Sequence, residues 1–160
     1  MCQEVSNGSL DESAGYALKQ AAAALRGAMD SALRALDLTV PQYACLRLLG
    51  ERPGLSNAEL ARGAFVTRQS MNGVLRGMQD RGLVTRAATA AHGRALPTQL
   101  TVAGREQLSA ATDAVRAIEQ QMFAPLTPER HRQLREDLAI CAAALRSRTS
   151  EEYPTQEDSN

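Results

Sequence analysis

Two short helices are bounded almost to the residue between Ser56 and Gly82, and only Ala64-Phe65-Val66 separates them. Ser56-Asn57-Ala58-Glu59 is a capping box: the serine hydroxyl takes the amide of the third helical residue, and the glutamate takes the serine amide. The helix it opens is about two turns long and ends at Gly63. Thr67 caps the next helix, which runs to about Arg81 with Gly82 as its stop. Leu83 to Ala87 and Leu96 to Leu100 then read as short strands, with Thr89 to Arg94 as the loop between them. Pro97 cannot donate to a ladder, so its strand lies at an edge. A lone hairpin is only marginally stable and must lean on the helices before it. Two tightly joined helices followed by such a ribbon make a winged helix-turn-helix.

Helices flank this module on both sides. Leu18, Ala22, Leu25, Met29, Leu33 and Leu36 recur at steps of three or four, which marks one apolar face of a helix from about Ser13 to Leu36. Thr39 and Gln42 form another capping box, with Pro41 in the first turn. The helix from Pro41 to about Glu51 is apolar nearly all round and reads as buried; Arg52-Pro53-Gly54 ends it. Thr101 starts a helix to about Phe123, Pro125 breaks it, and Thr127-Pro128 opens a last helix ending near Arg148. The fold class is therefore mainly α with a small two- or three-stranded β wing. Leu134, Leu138, Cys141 and Leu145 form an apolar stripe on the last helix, which a short winged domain cannot cover alone.

Charge singles out the middle of the chain. The whole sequence is neutral, with 18 basic and 18 acidic residues. Between Arg52 and Arg105 the arginines at 52, 62, 68, 76, 81, 86, 94 and 105 face only Glu59 and Asp80, a local net charge of +6. A neutral protein that gathers positive charge in a third of its length presents it to an anionic partner. No run approaches the roughly 18 apolar residues of a membrane span, and the polar start lacks an apolar leader core. A cytoplasmic protein with no membrane partner is expected. Cys2, Cys45 and Cys141 are widely spaced and form no CxxC, so they read as reduced thiols.

The faces of the helix from Thr67 to Arg81 divide cleanly. Met71, Val74, Leu75 and Met78 share the inward stripe; Arg68, Gln69, Asn72, Gly73 and Arg76 share the outward one. Arg pairs bidentately with guanine, and Asn or Gln with adenine, each worth about 1–3 kcal/mol of discrimination. Gly73 costs about 1 kcal/mol of helix propensity relative to Ala, and a bare backbone there allows close approach to a groove. Ser56, Thr67 and Ser70 lie near helix starts and suit phosphates as well as caps. Arg94, near the loop tip, can enter a minor groove, and Arg86 can meet a phosphate or an acidic side chain. A solvated amphipathic helix is the plain alternative for this face. A winged helix used for protein contacts would instead turn an apolar face outward. No nucleophile–base set, phosphate loop or paired carboxylates point to an enzyme. The two histidines, His92 and His131, have no ligand spacing to a cysteine, so neither a metal nor another cofactor is expected.

Three segments, LTVPQYACLRLL from Leu38, LSNAELARGAFVTRQSMNGVLRGMQDRGLVTR from Leu55 and HGRALPTQLTVAG from His92, resemble the MarR family of bacterial transcription regulators. The resemblance implies a homodimeric, sequence-specific regulator, commonly a repressor, bound to a pseudo-palindromic site in double-stranded DNA. It implies residues 13–38 and 102–148 as the helical dimerisation region and 39–101 as the DNA-binding domain; by composition the polar, acidic ends, 1–12 and 149–160, read as disordered tails. Family members commonly respond to small phenolic or aromatic acids bound between the dimer helices and the winged module. Others respond to oxidation of a cysteine, and a thiol-based redox sensor of the same fold is the alternative. Cys45 and Cys141 both read as buried packing residues, which disfavours that alternative. One departure stands out: the family places an Asp two residues before the wing arginine, where this chain has His92, so the usual acidic brace of Arg94 is missing.

Overall fold

The computed structural model describes residues 13–86 and 97–151. The wing loop with His92 and Arg94, the tail 1–12 and residues 152–160 lie outside the described residues. The elements run α1 (Ala14–Arg34), α2 (Val40–Glu51), α3 (Asn57–Gly63), α4 (Arg68–Asp80), β1 (Val84–Arg86), β2 (Thr98–Leu100), α5 (Val102–Phe123) and α6 (Pro128–Glu151). This is the expected order, except that α6 continues past the expected stop near Arg148. The chain forms two compact units that divide within α5, between Glu119 and Gln120. No described helix is long and apolar enough to cross a membrane.

The helix starts follow from local chemistry. Thr39 Oγ1 accepts the Gln42 amide while Gln42 Oε1 accepts the Thr39 amide at 2.9 Å, closing the first capping box. Ser56 and Glu59 close the second, with the Ser56 amide at 2.8 Å from Glu59 Oε2. These hydrogen bonds from Ser56 hold the exposed Glu59 carboxyl below its ordinary 4.5. Thr67 Oγ1 accepts the Ser70 amide at 3.1 Å and caps α4. At α5, Thr101 Oγ1 accepts the Gly104 amide at 3.0 Å and donates to Gly82 O at 2.6 Å, tying the new helix to the end of α4. A Cβ on Gly104 would lie 2.0 Å from Leu83 O, so only glycine permits this approach.

Three helix stops share one geometry, a paired 6→1 and 5→2 hydrogen bond around a left-handed residue. After α1, Leu38 N–H donates to Leu33 O and Asp37 N–H to Arg34 O. After α3, Val66 N–H donates to Ala61 O at 3.0 Å and Phe65 N–H to Arg62 O at 3.3 Å. After α4, Leu83 N–H donates to Met78 O and Gly82 N–H to Gln79 O, both at 2.9 Å. The left-handed residues are Asp37 (φ 53), Phe65 (φ 56) and Gly82 (φ 69). Glycine and aspartate tolerate that region, whereas a bulky side chain there costs about 1–2 kcal/mol.

The core of the first unit lies where α2, α3 and α4 meet. Leu46 and Cys45 from α2, Leu60 from α3, and Met71, Leu75 and Met78 from α4 are all fully buried. Leu33 near the end of α1, Val84 from β1 and Ala111 from α5 complete it. The expectation that α2 is buried holds for its apolar residues, with Tyr43, Cys45, Leu46 and Leu49 buried and Ala44 and Leu48 half-buried, and one edge is solvated. Arg47 and Gly50 are exposed, and Arg47 pairs with Glu51 at 3.1 Å because the helix carries a solvated side there. The wing root is a two-stranded antiparallel ribbon pairing Val84 with Leu100 and Arg86 with Thr98. In place of a third strand, Gly54 N–H donates to Thr98 O at 2.9 Å. Two long-range bonds fix the corner after α1: Arg81 Nη1 to Asp37 O and Gln107 Nε2 to Leu36 O, each 2.6 Å.

In the second unit, the Phe123 and His131 rings stack with centroids 4.3 Å apart across the turn into α6. The reading of Cys141 as a packing residue is corrected: it is exposed, as are Leu138 (39%) and Ile140 (66%). The end of α5 and one further helix provide too little chain to bury a full apolar stripe. In the first unit, truncation of a fully buried side chain removes contacts that the packed core cannot restore. Leu75→Ala is expected to lower unfolding stability by about 2–5 kcal/mol, read from the midpoint of a denaturant titration.

Candidate nucleic-acid interface

α4 carries two faces with opposite chemistry. Met71, Leu75 and Met78 have no solvent exposure, while Arg68, Gln69, Ser70, Asn72, Gly73 and Arg76 are all exposed. Val74, assigned to the inward stripe, is half-buried against the core. Among the described residues no ion pair engages Arg68 or Arg76, so their charge is uncompensated. A Cβ on Gly73 would meet nothing within 4 Å. The protein's own packing therefore does not require glycine there, and the bare backbone is left open outward.

The hydroxyl candidates differ in what they have left to offer. Ser56 gives both its amide and its Oγ–H to Glu59 Oε2, at 2.8 and 2.7 Å. With its donors engaged by a carboxylate, Ser56 is chiefly a cap. Thr67 Oγ1 donates to Ser70 Oγ at 2.9 Å, which leaves the Ser70 hydroxyl proton free to point outward. Arg86 is half-buried on β1, and its Nε has no partner among the described residues. Arg94 lies outside the described residues. The structure thus brings Thr67, Arg68, Gln69, Ser70, Asn72, Gly73 and Arg76 together on one helix and its cap. It sets Ser56 and Arg86 on neighbouring elements.

Sequence reasoning missed Asn57. Its Nδ2 donates to Asn72 Oδ1 at 2.8 Å and to Arg68 O at 3.4 Å, bridging the starts of α3 and α4. One lone pair of the Asn72 carbonyl is thereby used, while the NH2 of this exposed side chain has no hydrogen-bond partner among the described residues. A first-turn asparagine carries no sequence signal for such a bridge, because the bridge depends on how two helices cross.

Nor does the site offer a reactive thiol. Cys45 is buried, and desolvation pushes it up to about 12, so it stays protonated at neutral pH. A separate cleft of about 420 Å³ opens between α2, β2 and α5. Leu49, Leu100 and Leu108 supply its apolar wall, and Gln99 and Arg105 supply its polar groups.

The MarR family model matches residues 36–95. The HTH-type transcriptional repressor Rv2887 of Mycobacterium tuberculosis is 45% identical over 125 residues, which span 78% of this chain and 90% of that protein. The crystal structure of Rv2887 in complex with DNA superposes with a TM-score of 0.68 at 41% identity, covering 81% of this chain and 97% of that one. Its complex with salicylic acid gives 0.67 at 43% identity, covering 81% and 96%. The chain belongs to the MarR family of transcriptional regulators, which is not an enzyme family.

The Asn57–Asn72 bridge is expected to couple α3 to α4. A double-mutant cycle on Asn57→Ala and Asn72→Ala should return a coupling of about 0.5–1.5 kcal/mol in unfolding stability. Strict additivity of the two losses would show that the bridge contributes nothing in solution.

Proposed function

We propose that this protein is a sequence-specific DNA-binding transcriptional repressor that grips a pseudo-palindromic operator as a homodimer and is released by a small aromatic acid. The observation that carries the reading is the outward face of α4, where two unpaired arginines, Gln69 and Asn72 surround the open backbone of Gly73. In helix-turn-helix docking the N-terminal residues of the second helix contact base edges in the major groove. Arg68 and Gln69 stand at that end, and Asn72 and Arg76 follow one and two turns on. Arg forks suit guanine, and the Asn72 NH2, without a partner among the described residues, suits acceptor edges. Thr67 and Ser70 are placed for a phosphate, and Arg86 and Arg94 serve the wing. The protein-contact alternative would need an apolar outward face on α4, and this face is polar and cationic.

Residues 39–101 form the reading module in this account, and 13–38 with 102–148 form the dimer scaffold. Exposed Tyr16 and Leu18 on α1, and Leu138 and Ile140 on α6, supply apolar surface for a second copy. The repressor sense follows Rv2887, which is named a repressor. Rv2887 has been crystallised with salicylic acid, and a ligand of that class fits the chemistry of the cleft at Arg105, an apolar wall beside one guanidinium. Such a ligand acts by favouring the dimer state whose reading helices cannot span the site. A cytoplasmic location accords with this role.

Titration of the full chain against duplex DNA from its own promoter region tests the reading. Arg68→Ala and Asn72→Ala are expected to flatten the preference among sequences, each by about 1–3 kcal/mol. Arg94→Ala should weaken all duplexes alike, and salicylic acid should lower affinity for the preferred one. Absence of duplex binding at low salt would overturn the assignment.

A further inference from the structure

Phe65 combines two unfavourable features that a glycine or asparagine at the same helix stop would avoid. Its ring is 90% exposed, and its backbone sits at φ 56, in the left-handed region. The stops after α1 and α4 have the same hydrogen-bond pattern and use Asp37 and Gly82, residues that suit it. Val66, the next residue, turns inward and packs against the core, so the apolar contact of this stop is already provided without the ring. A strained backbone that carries an uncovered aromatic side chain points to use outside the folded chain.

The position narrows that use. Phe65 stands two residues before Thr67, the cap of α4, and so at the end of α4 that carries Arg68 and Gln69. We propose that Phe65 is a further DNA-contacting residue, laying its ring on apolar carbon surface at the edge of the groove that the α4 N-terminus enters. The carbon source is a thymine C5-methyl or the deoxyribose edge. This inference rests on the DNA-binding reading above. It adds a contact without charge to a surface otherwise made of cations and amides. An apolar contact raises affinity without displacing counterions, so it leaves no mark on the salt dependence.

The test uses the full chain and the duplex that wild-type protein selects from a randomised library. Phe65→Gly and Phe65→Asn suit the left-handed position, so their thermal midpoints without DNA should equal or exceed wild type. Their Kd for the selected duplex should rise roughly tenfold or more, with the slope of log K against log salt unchanged. Replacing every thymine by uracil separates the two carbon sources. A loss seen in wild type but not in Phe65→Gly assigns the methyl, and equal wild-type affinity for both duplexes assigns the sugar. If both variants bind the selected duplex like wild type, or lose affinity together with thermal midpoint, the proposal fails while the DNA-binding reading stands. If wild-type protein selects no duplex at all, that reading falls and this one with it.

Discussion

The burial of Met71, Leu75 and Met78 on one side of α4 is the contact on which the rest of the architecture depends. Each fully buried side chain of this kind contributes about 1.5–3 kcal/mol relative to exposure. Together they fix the rotation of α4 about its own axis. Once that rotation is set, helical periodicity leaves no choice about the other side: Arg68, Gln69, Asn72 and Arg76 must face outward. The Thr67 cap and the left-handed stop at Phe65 then fix where the helix begins, and the Asn57 bridge engages the carbonyl end of the Asn72 amide. Core packing and the cationic face are two consequences of one constraint.

The distribution of charge follows the same division. The chain is neutral overall, yet the segment around α3, α4 and the wing carries an excess of arginine. None of the described arginines of that segment is held in an ion pair. Arg81, itself exposed, donates to the neutral Asp37 carbonyl at 2.6 Å and keeps its charge, and Arg68 and Arg76 are likewise without acidic partners among the described residues. The excess is therefore left for a partner, and α4 presents Arg68 and Arg76 beside Gln69 and Asn72 on one face.

Much of this was legible in the sequence because its determinants are local. A capping box needs residues three apart, so Thr39 with Gln42 and Ser56 with Glu59 could be read directly. The split of α4 followed from its 3.6-residue period. What could not be read depends on distance or on conformation. The Arg81 and Gln107 bonds to the corner after α1 join residues 44 and 71 apart in sequence. The Asn57–Asn72 contact requires the crossing of two helices to be known. A left-handed turn is normally announced by glycine or asparagine, so Phe65 gave no sign of its strain. The stripe on α6 was visible as a pattern, but a pattern does not say what covers it, and Cys141 proved exposed for that reason.

The fold holds a cationic helix face outward without acidic partners among the described residues, and the proposed occupant of that face is duplex DNA. The salt dependence of duplex affinity measures this most directly. Log K is expected to fall linearly with log salt, with a slope of about −0.9 for each phosphate neutralised and several phosphates engaged. An affinity that is independent of salt would contradict it.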